Sequence, residues 1–265
     1  MRKLIFLSAL LTLTFNVVGQ TCDEIMALGT ALNFDGVDDK IAVPDSDDFD
    51  FSSGFSIEAW VNIPSSHTEN QLGIATKVQW SASGLGYGLD FEYGKVRVFS
   101  GQNYNDWAGT DFSFDGFYDK WVHLAGTYDG SVLKLYINGS LVSQEASSTG
   151  LSSNSQPFTI GSWPGESKFF EGGIDEVRVW KYARTASEIE SDRFDFLTGN
   201  ETDLIAYYDF EEGVNAANNT SILNVVDKTS NSNNGEIRSM ALSGNTSNYV
   251  ISGLSISGRS NLCED

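Results

Sequence analysis

Apolar and polar side chains alternate with a period of two through most of the chain. The runs Phe55–Ile63 and Ile174–Trp180 are the clearest cases. Because neighbouring residues of a strand point to opposite faces of a sheet, this period is typical of strands with one buried face. The same pattern predicts shorter strands at Ala31–Phe34, Lys40–Val43, Gly73–Val78, Tyr87–Tyr93, Lys95–Phe99, Trp121–Tyr128, Val132–Ile137, Leu141–Ala146 and Phe158–Ser162.

Turn signals separate these runs. Asn138-Gly139 lies between two of them, and this dipeptide favours a type I′ hairpin turn, which needs positive φ at both central residues. Asp129-Gly130 predicts a second hairpin turn of the same kind. Many short strands with turns about 8–12 residues apart predict an all-β protein in which two antiparallel sheets form a sandwich.

Only one segment has the signature of a helix. Thr185 and Glu188 have the spacing of a capping box, with Ile189 as an apolar contact behind it. We therefore expect one short helix near 186–194. Strand-like patterns resume at 204–210, 225–227 and 235–238, and no Pro-rich or Gly/Ser-rich linker precedes them. We therefore expect one domain over 21–265, with its core at 30–195 and completing strands at 204–251.

Six blocks along the chain, in order and spacing, resemble the LamG-like domain of the concanavalin A-like lectin/glucanase superfamily. They are Ala31–Ile41 with Val43-Pro44, Phe55–Val61, Trp121–Gly130, Leu135–Gly139 with Phe158–Gly161, Gly173–Trp180, and Arg184–Ile189. The resemblance covers about residues 30–195 and implies a two-sheet antiparallel jelly roll. The segment 204–237 resembles the first strands of the same family, which suits either completion of this sandwich or the start of a second repeat.

The N-terminus is typical of an export signal. Arg2 and Lys3 precede a short apolar run, and Gly19 is a small residue suited to cleavage. The run is too short to span a membrane, which takes about 20 apolar residues. We expect residues 1–20 to be a cleaved signal peptide and the mature protein to be secreted or at the cell surface. In such an oxidising compartment Cys22 and Cys263 are expected to form a disulfide that joins the two ends.

The charge narrows the range of partners. The chain has 16 basic and 36 acidic residues, a formal net charge of −20. Nucleic acids need clustered Lys and Arg, so they are not expected as partners. With 2 Cys and 2 His the chain has little to offer a zinc site.

Calcium is the cofactor that the acidic residues favour, because Ca²⁺ prefers clustered carboxylates. Asp35, Asp38 and Asp39 fall in one tight turn, and the family pattern places this turn beside the strand that carries Asp175. These four aspartates are the candidate ligands. The alternative is ordinary turn chemistry, since Asp and Gly are common turn formers.

Aromatic residues in predicted loops are the candidates for ligand binding. Sugar rings lay their C–H faces on aromatic rings while nearby polar groups contact the hydroxyls. Trp80, Tyr104, Trp107 and Trp163 fall outside the predicted strands, and amides and acids flank them. The alternative is that these rings cover the edge of the sandwich.

No catalytic motif is evident. The Glu-x-Asp-x-x-Glu pattern of the glucanase branch is absent, and so is the Gly-x-Ser-x-Gly elbow. Carboxylates from different strands, such as Glu58, Asp90 or Glu92, keep a glycoside hydrolase as the alternative. The sequence favours a secreted, non-catalytic recognition module that binds carbohydrate or mediates adhesion. Its partner would be a glycan or an extracellular protein, and a structural protein–protein module is a further alternative.

Overall fold

The computed structural model describes residues 29–68, 70–82, 84–165 and 168–254. The predicted signal peptide and both cysteines lie outside them, so the signal and the disulfide remain predictions. The strands are β1 Thr30–Asp35, β2 Lys40–Val43, β3 Phe55–Asn62, β4 Gln71–Ser81, β5 Gly84–Glu92, β6 Lys95–Asn103, β7 Asp106–Ser113, β8 Trp121–Tyr128, β9 Val132–Ile137, β10 Ser140–Ala146, β11 Phe158–Ile160 and β12 Glu171–Trp180. Helix α1 spans Ala186–Asp192, and β13 Leu204–Tyr208, β14 Asn224–Val225, β15 Gly235–Arg238 and β16 Asn248–Ile251 follow it.

The strands form two antiparallel sheets of eight strands each. The first sheet has the order β10-β9-β8-β3-β12-β1-β16, and β13 also pairs with β12. The second sheet has the order β14-β15-β2-β11-β4-β5-β6-β7. The predicted jelly-roll sandwich is confirmed, and the part of the chain that the structure describes has one short α-helix, together with a 3₁₀ turn at Asp47–Phe49. The strands after α1 join both of these sheets, because β13 and β16 belong to the first and β15 to the second.

The core fills the space between the sheets. Leu32, Val61 and Ile174 belong to one cluster of fully buried apolar side chains with Leu89 and others of the second sheet. Burial of each such side chain stabilises the fold by about 1.5–3 kcal/mol. Gly126 on β8 allows a close approach, since a Cβ there would lie 2.5 Å from the side chain of Val98.

The outer face of the first sheet is partly covered by α1 and the residues after it. The capping box predicted at the start of α1 is present: the Thr185 hydroxyl accepts from Glu188 N and the Glu188 carboxylate accepts from Thr185 N. Ile189 packs on Ala125 and Tyr136 of the sheet. Within the described residues, no helix is long and apolar enough to cross a membrane.

The two predicted hairpin turns differ. Asn138 and Gly139 have φ of 50° and 80°, as a type I′ turn requires. The turn at Asp129-Gly130 was predicted to be of the same kind, and this was wrong. Positive φ occurs there only at Gly130, and the Asp129 carboxylate accepts hydrogen bonds from the N–H groups of Ser131 and Val132. The side chain of Asp129 therefore closes a three-residue loop.

Candidate functional site

An aromatic surface lies on the outer face of the second sheet. Residues directly opposite each other on neighbouring antiparallel strands point to the same face. Phe99 on β6 lies between Gly88 on β5 and Gly109 on β7, and Trp107 on β7 lies opposite Gly101. Val98, the neighbour of Phe99 along the strand, is in the core. The rings of Phe99 and Trp107 are therefore on the face away from the core.

Glycines make room for three aromatic rings on this face, those of Phe99, Trp107 and Trp163. A Cβ on Gly73 would lie 2.7 Å from the Trp163 ring, and one on Gly88 would lie 2.9 Å from the Phe99 ring. A Cβ on Gly109 would lie 3.2 Å from the Trp107 ring. Real Cβ atoms essentially never approach as closely as at Gly73 and Gly88 and seldom as closely as at Gly109, so each ring occupies space that a neighbouring side chain would need.

Trp80, Trp107 and Trp163 make up what we call the aromatic patch. The Trp80 ring lies 5.9 Å from the Trp107 ring at an angle of 62°, and 5.8 Å from the Trp163 ring at 38°. Trp80 is 45% exposed and Trp107 is 37% exposed, whereas Trp163 is 4% exposed. The exposed indole of Trp80 thus contacts both the exposed indole of Trp107 and the buried indole of Trp163.

The patch differs in detail from the sequence-based expectation. Trp80 lies near the end of β4 and Trp107 lies in β7, so the expectation that both are in loops was wrong. Trp163 was expected at the surface and is buried. Tyr104 is in the turn between β6 and β7, as expected, is 44% exposed, and donates its backbone N–H to the Ser81 carbonyl at 3.2 Å. The structure therefore brings all four aromatic residues to one end of the second sheet.

Two basic residues that the sequence analysis missed, Arg97 and Lys168, lie against the patch, and Arg97 bonds to two of the carboxylates that it named. Arg97 donates from Nε and Nη2 to the Asp90 carboxylate at 3.1 and 2.7 Å, and from Nη1 to Glu92. Its guanidinium carbon lies 5.4 Å from the centre of the Trp107 ring, and Lys168 Nζ lies 4.2 Å from that of Trp163. The only sequence signal for Arg97 is its position two residues before Phe99, which places it on the same face.

Burial raises the pKa of Asp90 to about 6, although the charge of Arg97 opposes the change. Both Asp90 and Glu92 bond to the guanidinium of Arg97, so neither carboxylate is positioned to act as an acid or a nucleophile on a substrate. Glu58, the third carboxylate considered for catalysis, is fully buried on the other sheet. A glycosidase needs one carboxylic acid that protonates the leaving oxygen and a second carboxylate opposite it. The arrangement at the patch is therefore better suited to binding than to hydrolysis.

The predicted acidic turn after β1 does bring three carboxylates together. Oxygens of Asp35, Asp38 and Asp39 lie within 4.8 Å of one another. Asp39 is fully buried, accepts from Asp35 N at 3.0 Å and from the Ser247 hydroxyl at 2.9 Å. Burial raises the pKa of Asp39 to about 6. Three clustered hard oxygen donors fit the ligand preference of Ca²⁺.

Asp175 is not part of this cluster. Asp35 lies opposite Glu171 in the register of β1 and β12, so Asp175 is four residues further along β12, roughly 13 Å away at about 3.3 Å per residue. Its carboxylate accepts from Glu176 N at 2.8 Å. Glu171 is the β12 carboxylate beside the turn, since one of its oxygens lies 3.5 Å from where a Cβ of Gly36 would be.

The fold is that of a lectin-like sandwich, and the sequence agrees. Residues 35–190 match the laminin G model of the concanavalin A-like lectin/glucanases superfamily. This match covers more than half of the chain, so the chain belongs to this family.

Curated relatives match only a segment. Pappalysin-1 of Mus musculus is 40% identical over 78 residues, and human pappalysin-1 is 36% identical over the same length. The aligned segment is 28% of this chain and 5% of each pappalysin.

Two solved structures share the fold. A candidate carbohydrate-binding protein of Bacteroides ovatus has a TM-score of 0.59 and 20% identity, with 80% of this chain and 58% of that chain covered. The receptor-binding domain of botulinum neurotoxin mosaic serotype C/D has a TM-score of 0.50 and 17% identity, with 62% and 41% covered. The chain thus spans less than two thirds of each, and at these identities the likeness shows the fold alone.

Proposed function

We propose that this protein is a non-catalytic carbohydrate-binding module and that the aromatic patch is its binding surface. The observation that carries the proposal is the pair of exposed indoles of Trp80 and Trp107. The glycines of the sheet beneath them and the buried ring of Trp163 fix their orientation. Rigid aromatic rings bind a sugar ring without losing much conformational freedom.

The shape of the patch indicates what kind of glycan fits. Because the Trp80 and Trp107 rings are inclined at 62°, they form a corner and not a plane. One ring can contact the C–H face of a sugar while the other contacts its edge. Arg97 beside Trp107 and its partner Glu92 offer a donor and an acceptor for hydroxyl groups, whereas buried Asp90 holds Arg97 in place. This suits a soluble or chain-end glycan better than a flat polysaccharide crystal.

The proposal agrees with the name of the Bacteroides ovatus neighbour, which describes that protein as a candidate for carbohydrate binding. Its shared fold is compatible with the proposal, but the argument for binding comes from the patch.

Calcium belongs to the proposal as a structural ion. Asp35, Asp38 and Asp39 would hold it in the turn after β1, with Glu171 close by. Neutralising three carboxylates, one of them fully buried, would stabilise the connection between β1 and β2.

We also propose that the protein acts outside the cytoplasm as one domain, secreted or at the cell surface. The signal-like residues 1–20 and the prospect of a Cys22–Cys263 disulfide support this. An extracellular setting would also supply the millimolar calcium that weak sites need.

A glycan array with the wild-type protein and a Trp107→Ala variant tests the binding proposal. Tyr93→Ala is the matched control, because Tyr93 is 69% exposed in the turn between β5 and β6. Wild type and control should bind the same glycans. Trp107→Ala should bind them at least about tenfold more weakly, as expected for loss of a central aromatic anchor. A wild-type protein that binds no glycan, or a Trp107→Ala variant that binds normally, would contradict the proposal.

A further inference from the structure

A recess lies on the outer face of the first sheet, on the side of the sandwich away from the aromatic patch. Trp121 on β8 pairs with Asn62 on β3, Asn62 with Gly173 on β12, and Gly173 with Asn33 on β1. Cross-strand partners share a face, so these four residues form one row across four strands. Their strand neighbours Leu32, Val61, Val122 and Ile174 are core residues, so the row points outward.

The recess exists because the middle of this row has no side chain. A Cβ on Gly173 would lie 2.7 Å from the Trp121 ring, so the ring lies over the glycine backbone. The layer that covers the sheet beyond α1 reaches Trp60, whose Nε1 donates to the Arg193 carbonyl at 2.9 Å. Leu254 packs against Trp60 and Trp121. Beyond these residues lies an open space of about 200 Å³ whose lining includes Pro64 and Ile251.

The polar groups in the recess are two carboxamides. Within the part of the chain that the structure describes, the side chains of Asn33 and Asn62 make no hydrogen bond, and both residues are half-buried. The next asparagine of the row, Asn248 on β16, donates from its amide to the carbonyls of Ala217 and Gly244 at 2.9 and 2.8 Å. The amides of Asn33 and Asn62 are thus the two available for a ligand.

The lining carries no charge, which restricts the ligand. An ionic ligand would be partly desolvated in the recess without a counter-charge. A carboxamide both donates and accepts, as a hydroxyl group does. An indole ring in the same row as two amides suits the C–H face of a ring that bears hydroxyl groups at its edge.

From this arrangement we infer a second ligand site, in which Trp121, Asn33 and Asn62 bind one neutral monosaccharide unit. This site does not depend on the aromatic patch, since it lies on the other sheet. Two glycan sites on opposite faces would let one molecule bridge two glycan chains, with a gain in avidity on multivalent surfaces.

NMR of the full-length ¹⁵N-labelled protein tests the inference. Glucose, galactose, mannose and xylose are titrated in separate series, with glucuronic acid as the charged comparison. At least one neutral sugar should shift the side-chain amide signals of Asn33 and Asn62 and the indole N–H signal of Trp121, with saturation. Glucuronic acid should shift them at least tenfold more weakly at the same concentration.

A double Asn33→Ala, Asn62→Ala variant should keep its folded spectrum, because neither amide has a hydrogen-bond partner among the described residues, and should lose the shift of Trp121. Trp107→Ala should keep all three shifts even if array binding is lost, which separates this site from the aromatic patch. The inference is overturned if no neutral sugar gives saturable shifts. It is also overturned if the double variant responds like wild type, or if a blocked dipeptide shifts these signals and the sugars do not.

Discussion

Replacing Glu58 by Gln tests whether a buried ion pair holds α1 on the first sheet. Glu58 on β3 is fully buried. Arg184, just before α1, donates from Nη1 to its carboxylate at 2.8 Å, and His123 Nε2 lies 3.4 Å from the other oxygen. Burial alone would raise the pKa of Glu58. The polar contact with His123 and the charge of Arg184 outweigh burial and lower the pKa of Glu58 to about 2.

The size and sign of the effect follow from this pKa. The difference between the ordinary value of 4.5 and about 2 corresponds to about 3 kcal/mol of free energy of unfolding. A lowered pKa means that the unfolded chain takes up the proton first as the pH falls. The stabilisation is therefore complete above pH 4.5 and is lost between pH 4.5 and about 2. Glu58→Gln should lower the free energy of unfolding by about 3 kcal/mol at neutral pH. The variant loses the charged carboxylate, and Arg184 is left without its buried counter-charge.

Urea unfolding followed by tryptophan fluorescence, from neutral pH down to about pH 2, measures this free energy. Glu190→Gln is the matched control, since Glu190 lies on the exposed side of α1 and pairs with Arg193 at the surface. The control should lose less than about 1 kcal/mol. Glu58→Gln should also have a flatter profile below pH 4.5 than wild type. A variant that loses no more than the control, or that keeps the wild-type acid profile, would refute the reasoning.

Three further results are expected. Gly73→Ala should weaken glycan binding on the array and lower the melting temperature, since its Cβ would lie 2.3 Å from the carbonyl carbon of Ser162 and displace Trp163. Excess Ca²⁺ should raise the melting midpoint of the wild type above its value in EDTA, and it should raise the midpoint of Asp38→Asn by less. Equal wild-type midpoints in Ca²⁺ and in EDTA would contradict the calcium site. Gly139→Ala should lower the free energy of unfolding in urea by about 1 kcal/mol, because φ is 80° there; an unchanged value would contradict the strain.

The fold could be predicted from the sequence because its signals are local. Period-two alternation, the Asn138-Gly139 turn and the capping box at Thr185 each depend on a few neighbouring residues. The pattern failed where the strands are irregular. The β4–β5 register shifts near Gly73 and again near Ser81, so the alternation changes phase within β4 and its end was missed. Trp80 was assigned to a loop for this reason.

The candidate calcium ligands show where local reasoning stops. Asp35, Asp38 and Asp39 are close in sequence, and the structure keeps them together. Asp175 was added on the assumption that its strand runs beside the turn, and that strand does pair with β1. The register, however, depends on contacts across about 140 residues and places Glu171 at the turn instead. A sequence pattern can identify the neighbouring strand without identifying the opposite residue.

The two proposed binding surfaces depend on glycines as much as on aromatic residues. Gly84, Gly86 and Gly88 recur at every second position in the first part of β5, a period that leaves one face of this part of the strand without side chains. On the first sheet, Gly173 has the same effect beneath Trp121. A tryptophan above an ordinary strand residue would stand away from the sheet and move more freely. Above glycine it lies flat, and its exposed side is fixed before any ligand arrives. Glycines that alternate along a strand near tryptophans are therefore the sequence signal that would have placed the patch on the sheet.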